Sequence, residues 1–387
     1  MEHYEFFYHG LASEMKKPTI QPRSRQKRNR TLDGLMHVAE DFCTRQVILL
    51  YNMDSSWPEK DQNYIRQLVE RMQAGIESFG FTVHPLVVQR DLSVLDRYDP
   101  QQWLVFNWCE GFEGMPWSDA LVARNLEVRG FTFTGADSRT MTIAQDKWRV
   151  KKILLAAGVP TPNGLMLDDA TAAADWTLFP ALVKPVNQHG SFGVTKDSVV
   201  KTPAELQHQV DWVKKTFGSA SLVEPFLNDR EFQVAVWGNH KLQTLPPMEL
   251  DYSEFTELSD RLYTFDSKFN PSSPGWFGIK WHCPAPVTED LREELSRIAI
   301  AAFRAVRCRD YARFDIRLFN GKPMILDVNP NPDLDPASVF PAAAETIGIN
   351  YGSLALRILY LASRRLRRRL ALQKNKTAKG RRLKAVT

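Results

Sequence analysis

The chain has 387 residues, 43% hydrophobic and 25% charged. That balance suits a globular protein with two or three cores, and no apolar run approaches the roughly 20 residues of a membrane span. The net charge of +5 hides an asymmetry: residues 364–387 carry eleven lysines and arginines and no acid, so removing those eleven charges leaves the body at −6.

Residues 1–44 read as a basic, flexible extension with an acid-free run of cations at 16–30. The start of the chain lacks the basic stretch and apolar run of a secretory signal. The four cysteines, Cys43, Cys109, Cys283 and Cys308, form no C-x-x-C pair. Both features place the protein in a reducing cytoplasm.

Order begins with a short apolar run at 45–51, typical of a buried parallel strand. Ile65, Leu68, Val69, Met72 and Ile76 then fall at helical spacing over 63–79. Strands at 82–87 and 103–107 and a helix near 118–129 follow. Strands alternating with helices predict an α/β unit over 45–140 with a doubly wound parallel sheet. A second unit spans 141–227: a helix at 146–157, a strand at 179–185, a loop at 189–194, a helix at 203–217 and a strand at 221–225. The third, 228–363, has strands near 232–237, 312–319 and 323–328 and a long helix at 290–306. Residues 364–387 read as a mobile basic tail, free to contact an acidic partner.

Three stretches carry chemistry. Arg313-Phe314-Asp315 and Asp327-Val328-Asn329 flank a turn at Gly321. Residues two apart on a strand share a face, so a hairpin aligning the faces brings two carboxylates, an amide and a guanidinium together. Oxygen donors of this kind suit magnesium carrying phosphates, and the arginine suits a developing oxyanion. An edge hairpin with solvated polar residues is the plainer alternative. Lys184 sits on an apolar strand ahead of Gly190-Ser191-Phe192-Gly193, a pairing that fits a triphosphate grip. Taken alone, Lys184 reads more readily as an edge lysine reaching water. Glu224, Phe226 and Leu227, followed by Glu231, fit an apolar slot for a base with a carboxylate for its ribose, or simply a strand and a turn with surface acids. His189 reads as an incidental loop histidine.

Together and in this order these pieces resemble the ATP-grasp superfamily, and within it the D-alanine–D-alanine ligase family. The matching stretches include Thr134-Gly135, Asp146-Lys147, Val183-Lys184-Pro185, Cys283-Pro284-Ala285-Pro286 and Arg313-Phe314-Asp315. The resemblance implies an ATP-grasp fold of three subdomains, with 141–227 as lid and 228–363 as catalytic domain. It implies an ADP-forming ligase that joins a small carboxylate to an amine, amino acid or peptide, through an acyl-phosphate, and it suggests a homodimer. By position it implies that Lys147, Lys184 and Lys268 contact ATP phosphates and that Gly190, Ser191 and Gly193 close over them. Glu224, Phe226 and Leu227 would cradle adenine, and Glu231 would hold the ribose. Asp315, Asp327 and Asn329 would hold two magnesium ions. Arg313, with Ser191 and Lys268, would act in catalysis, and Ser338 and Asp333 would face the amine-bearing substrate.

The chain departs from the family pattern in four places. Asp327 stands where the family usually has glutamate, and Asp333 where it usually has glycine. The first strand runs into Asn52-Met53-Asp54-Ser55-Ser56 instead of a glycine-rich loop. Cys109-Glu110-Gly111-Phe112-Glu113-Gly114 replaces a histidine-bearing signature. Nucleotide chemistry is therefore expected with a rebuilt substrate pocket. The alternative is an ATP-binding protein of the same fold that has lost catalysis.

Overall fold

A computed structural model describes residues 19–20, 41–115 and 117–384, with the backbone alone for 19–20 and 373–384. The expected alternation is present. Strands Gln46–Asn52, Thr82–Val88, Trp103–Trp108 and Thr132–Phe133 form a parallel sheet. Gln46–Asn52 lies between Thr82–Val88 and Trp103–Trp108. Because side chains alternate along a strand, Ile48 and Leu50 face helix Asp119–Val128, while Val47 and Leu49 face helix Glu59–Glu77. Both faces are covered, which explains the continuous apolar runs in the sequence.

The second unit is a four-stranded antiparallel sheet: Leu165–Leu167, Ser221–Pro225, Ala181–Pro185 and Val199–Val200, in that spatial order. Helix Pro203–Phe217 buries Leu206, Val210 and Val213 on it. Thr202 caps that helix, Pro203 opens it, and Gly218 ends it in the left-handed conformation. In the third unit, strand Glu231–Gly238 lies between Met248–Asp251 and Asp310–Phe319, and Lys322–Asn329 completes the hairpin. Helix Glu289–Val306 packs Leu295, Ile298, Ala302 and Phe303 over this sheet.

Two expectations about the termini change. The basic run 16–30 lies outside the described residues except for Thr19–Ile20. These two form a strand parallel to Lys280–Cys283, so part of the supposed flexible extension belongs to the sheet. At the other end, the last helix runs from Tyr351 to Lys384 without stopping at 363. Leu366 is fully buried. Arg365 bonds to Asp310 and to the Phe133 carbonyl, and Arg369 donates to the carbonyls of Gly130 and Pro100. The proximal tail is therefore docked rather than mobile. This helix crosses Glu59–Glu77 where Gly75 meets Gly352; a Cβ on either would come within 2.8 Å of the other's Cα. The C-terminal segment thus closes the N-terminal sheet, and one apolar core runs from Leu49 through Ile358 to Trp237.

Candidate active site

The hairpin register decides the first question the sequence left open. Arg313 pairs with Asn329 and Asp315 with Asp327, so all four stand on one face. A register irregularity follows Asp315. Arg313 donates to both oxygens of Asp315, at 2.8 and 3.1 Å. The sequence reading assigns these two charges to separate partners, whereas here they satisfy each other. Burial opposes ionisation of Asp327, but Lys147 and Lys184 hold its carboxyl below the usual range. The Nδ2 atom of Asn329 is shut off from solvent and has no hydrogen-bond partner.

Lys184 is not an edge lysine reaching water. Its strand is flanked by two others, and its ammonium lies 2.6 Å from the Glu224 carboxylate. Lys151, which sequence reading missed, reaches the other oxygen of Glu224 at 2.5 Å. It also donates to Thr161 Oγ1 at 3.0 Å. All three charged groups are buried. Burial disfavours the Lys184 ammonium, but Glu224 and Asp327 raise its pKa above the ordinary lysine value. Burial likewise opposes the Glu224 carboxylate, which the two lysines hold ionised. Lys147 donates to the Gln188 carbonyl, and burial lowers its pKa. Glu231 receives a hydrogen bond from Tyr252 at 3.1 Å and faces Arg317 at 3.5 Å. Phe226 packs with Val199 and Leu262 under the Arg317 guanidinium, and Leu227 is buried nearby.

Lys268 stands over the Tyr263 ring, and burial followed by the Arg313 charge lowers its pKa to about 8. Ser191 has φ of +69° and donates its hydroxyl to the Tyr263 carbonyl at 2.8 Å. That bond holds the Gly190–Gly193 loop against the third unit. It also occupies the hydroxyl that the resemblance assigns to catalysis.

A cavity of about 740 Å³ opens beside this cluster. Lys268, Arg313, Asn329 and the loop residues His189 and Gly190 are among its lining residues. Glu110, Asp119 and Asp333 line it too, with Trp57, Trp108 and Trp117 among the aromatic walls. His189 also lines the cavity. Its ring meets Trp117 at 5.0 Å, and its Nε2 atom is shut off from solvent without a partner. Burial pulls its pKa down to about 4, so it stays neutral. Ser338 donates to the Asp333 carbonyl at 2.8 Å, so its hydroxyl is already engaged. No spacing signal predicted Lys151, Asp119 or Trp117; each reaches the site through tertiary packing.

A family model described as the D-ala D-ala ligase C-terminus matches residues 163–360. The D-alanine–D-alanine ligase of Desulforudis audaxviator is 31% identical over 298 residues, covering 76% of this chain and 91% of its own. The chain belongs to the D-alanine–D-alanine ligase family. An uncharacterized Sinorhizobium fredii protein, y4sG, is 34% identical over 285 residues, covering 71% of this chain and 80% of its own. Among solved structures, the Bacillus anthracis D-alanine–D-alanine ligase complexed with ATP superposes with a TM-score of 0.63 at 20% identity. The match covers 84% of this chain and 99% of that one, and it shows the ATP-grasp fold. Among the described residues, no helix is long and apolar enough to cross a membrane.

Proposed function

We propose that this ATP-grasp ligase joins a carboxylate to an amine with ATP, by way of an acyl-phosphate, and that its substrate is not restricted to D-alanine. The observation that carries the reading is the shared face of Arg313, Asp315, Asp327 and Asn329 beside the Lys147, Lys184 and Lys268 ammonium groups.

The donor set fits a hard divalent cation. Asp315, Asp327 and Asn329 supply oxygens from adjacent strands, and Asp327 is held ionised. The Asn329 amide would add a third oxygen to the two carboxylates. Magnesium bound there would neutralise phosphate charge. Ligation by Asp315 requires the Arg313 guanidinium to release at least one of its two bonds.

A substrate carboxylate attacks the terminal phosphorus of ATP; ADP leaves and an acyl-phosphate forms. Lys184 and Lys147 neutralise charge on the phosphates. The amine then attacks the acyl carbon, phosphate departs, and the amine proton is lost to solvent or a carboxylate. Arg313, once turned from Asp315, faces the tetrahedral oxyanion. The Gly190–Gly193 loop, tethered through Ser191 to Tyr263, keeps water from the acyl-phosphate.

The test is ADP release from ATP and Mg²⁺ against pools of carboxylic acids and amines, with Lys184→Met as control. Release that depends on the pool and is lost in the variant supports the reading. No release from any pool, with ATP binding retained, supports the inactive alternative.

A further inference from the structure

The cavity meets the N-terminal sheet at the carboxyl ends of its parallel strands. Tyr51 and Asn52 end the strand Gln46–Asn52, Val88 ends Thr82–Val88, and Asn107 and Trp108 end Trp103–Trp108; all of them line the cavity. The first of these strands lies between the other two, so the chain leaves it to one side and later returns on the other. A crevice opens outside the carboxyl ends of strands at such a switch point. The loops over 53–58 and 109–117 border it.

Polar groups of the two loops engage one another. Asn52 Oδ1 accepts the Glu110 N–H at 2.9 Å. Ser55 donates to Glu113 at 2.7 Å, and Arg90 faces the other oxygen of that carboxylate at 3.6 Å. Asp54 accepts from the N–H and the hydroxyl of Ser56 at 2.8 and 2.6 Å. The side chains that these bonds leave to meet a ligand are largely apolar: Met53, Trp57, Trp108 and Phe112, with Ile65 and Val69 of helix Glu59–Glu77. Trp108 packs against the core that holds Val47 and Leu49, and Phe112 against the core that holds Ile48 and Leu50. The two rings thus rest on the cores of opposite faces of the sheet, and each is held before a ligand arrives.

Two further features bear on the ligand. The first is volume. Glu224, Phe226, Leu227 and Glu231, the residues placed for adenine and ribose, do not line this cavity, and neither do Lys147 and Lys184. Its 740 Å³ is therefore room for the reacting phosphate and the two substrates, and a space of that size takes a drug-sized ligand. D-alanine would bring only a methyl group to these rings. The second is continuity. Trp117, on the loop that carries Phe112, meets the His189 ring at 5.0 Å and the Phe192 ring at 5.7 Å. The aromatic lining therefore runs on to the Gly190–Gly193 loop.

We infer that the acid substrate carries a bulky apolar group, an aromatic ring or a branched chain, which packs on Trp57, Trp108 and Phe112 while its carboxylate reaches the Gly190–Gly193 loop. Burying such a group gains the apolar area that a methyl leaves wet. The acid rather than the amine takes this place, because Trp117 joins the crevice to the loop where, on the ligase reading, the acid is activated. Glu110, Asp119 and Asp333, also lining the cavity, oppose a second carboxylate on the same molecule. The inference deepens the ligase reading above and rests on it.

The test traps the acyl-phosphate with hydroxylamine, which forms a hydroxamate and releases phosphate, so the amine need not be known. The full chain with ATP and Mg²⁺ is given both enantiomers of alanine, leucine, phenylalanine and aspartate, and phenylpropanoate. The best of leucine, phenylalanine and phenylpropanoate is expected to exceed alanine about ten-fold or more in kcat/KM. Trp57→Ala is expected to shrink that ratio about ten-fold by raising KM for the bulky acid, with kcat changed less, while Trp57→Phe keeps most of it. Alanine or aspartate as the best acid, or a ratio untouched by Trp57→Ala, overturns the inference and leaves the ligase reading intact. Hydroxamate from none of these acids, with ADP still released from the pools above, does the same. If neither product appears, the ligase reading fails on its own. Calorimetry of phenylpropanoate on the same chain then decides the pocket: binding lost in Trp57→Ala upholds it, and binding kept in the variant or absent from the parent overturns it.

Discussion

The Lys184 ammonium lies 2.6 Å from the Glu224 carboxylate, with both side chains removed from solvent. Lys151 takes the other oxygen of Glu224, so the acid answers two lysines. The arrangement is asymmetric to substitution. Glu224→Leu leaves the buried Lys151 ammonium without an acid and Lys184 with Asp327 as its nearest remaining carboxylate partner, and should cost about 3–5 kcal/mol. Lys184→Met leaves Glu224 paired with Lys151 and should cost clearly less, while ADP formation falls roughly 10²-fold or more. Denaturant unfolding and ADP release on both variants check this. Equal destabilisation by the two would show that Lys151 does not hold Glu224.

The Arg313–Asp315 pair makes a different prediction. Both oxygens of Asp315 are taken by one guanidinium fork. Arg313→Lys should not restore function, because an ammonium cannot make the same two parallel bonds. Asp315→Asn should raise the Mg²⁺ concentration needed for half-maximal ADP release, since a charged oxygen donor is lost. A magnesium titration of ADP release reads both. An unchanged magnesium requirement in Asp315→Asn would remove Asp315 from the metal set.

The C-terminal helix sets a third test. Reading 364–387 as a mobile tail implies that truncation after Ser363 is harmless. The structure implies the opposite, because truncation removes Leu366 from the core and Arg365 from buried Asp310. Asp310 also accepts from the Gly135 N–H and from Asn239, both uncharged donors, so its carboxylate loses the cation it bonds. Burial of one leucine is worth about 1.5–3 kcal/mol, and the stranded carboxylate adds to the loss. Thermal unfolding of a chain ending at 363 should show a clear fall, against a smaller one for a chain ending at 372. Identical unfolding of full-length and 363-residue chains would return the segment to the status of a loose tail.

Gly135 offers a sharper probe of how the N-terminal unit meets the hairpin. Its φ is +85°, and a Cβ would lie 2.2 Å from Asn331 Oδ1. That same oxygen accepts the Ala136 N–H at 2.8 Å. Gly135→Ala should therefore cost about 1–3 kcal/mol and break the link between units. Asn331→Ala relieves the clash, so the double variant should recover part of the loss. Additive losses in the thermal unfolding of the cycle would refute the contact.

The units and the hairpin were legible because their signals are local. Apolar runs bounded by Gly and Pro gave the parallel strands, and the alternation in 313–317 and 325–329 gave a shared face. The Arg313–Asp315 bond was hidden, although the two are neighbours on one strand, because which partner a guanidinium takes depends on three-dimensional competition. Lys151 was hidden because its partner lies 73 positions away, at Glu224. The tail was misread because a run of arginines looks solvated. Its signal was Leu366 continuing the apolar spacing of Leu359 and Ala362, with Arg365 and Arg369 one turn apart and reaching backbone carbonyls. Glu110 and Asp333 stand out in the sequence as departures from the family pattern, Asp119 does not, and their approach to one another comes only with folding.

Glu110 gives the last prediction, through the dependence of stability on pH. Glu110 is faced by Asp333 and Asp119, with Tyr311 and Cys109 neutral beside it and Arg313 acting on Asp333. Its pKa is pushed from 4.5 to about 8, so the folded chain holds a proton that the unfolded chain releases. Where the folded state binds more protons, stability falls as pH rises. The penalty from Glu110 is thus absent below 4.5, grows through the window and is complete above about 8. Glu110→Gln removes it, so the variant should be more stable than the parent at pH 9 and indistinguishable from it near pH 4. Thermal unfolding of the two proteins across that range checks the sign. A stability gain that stays constant from pH 4 to pH 9 would mean that a glutamine simply packs better at this position, and that ionising Glu110 carries no penalty in the folded chain.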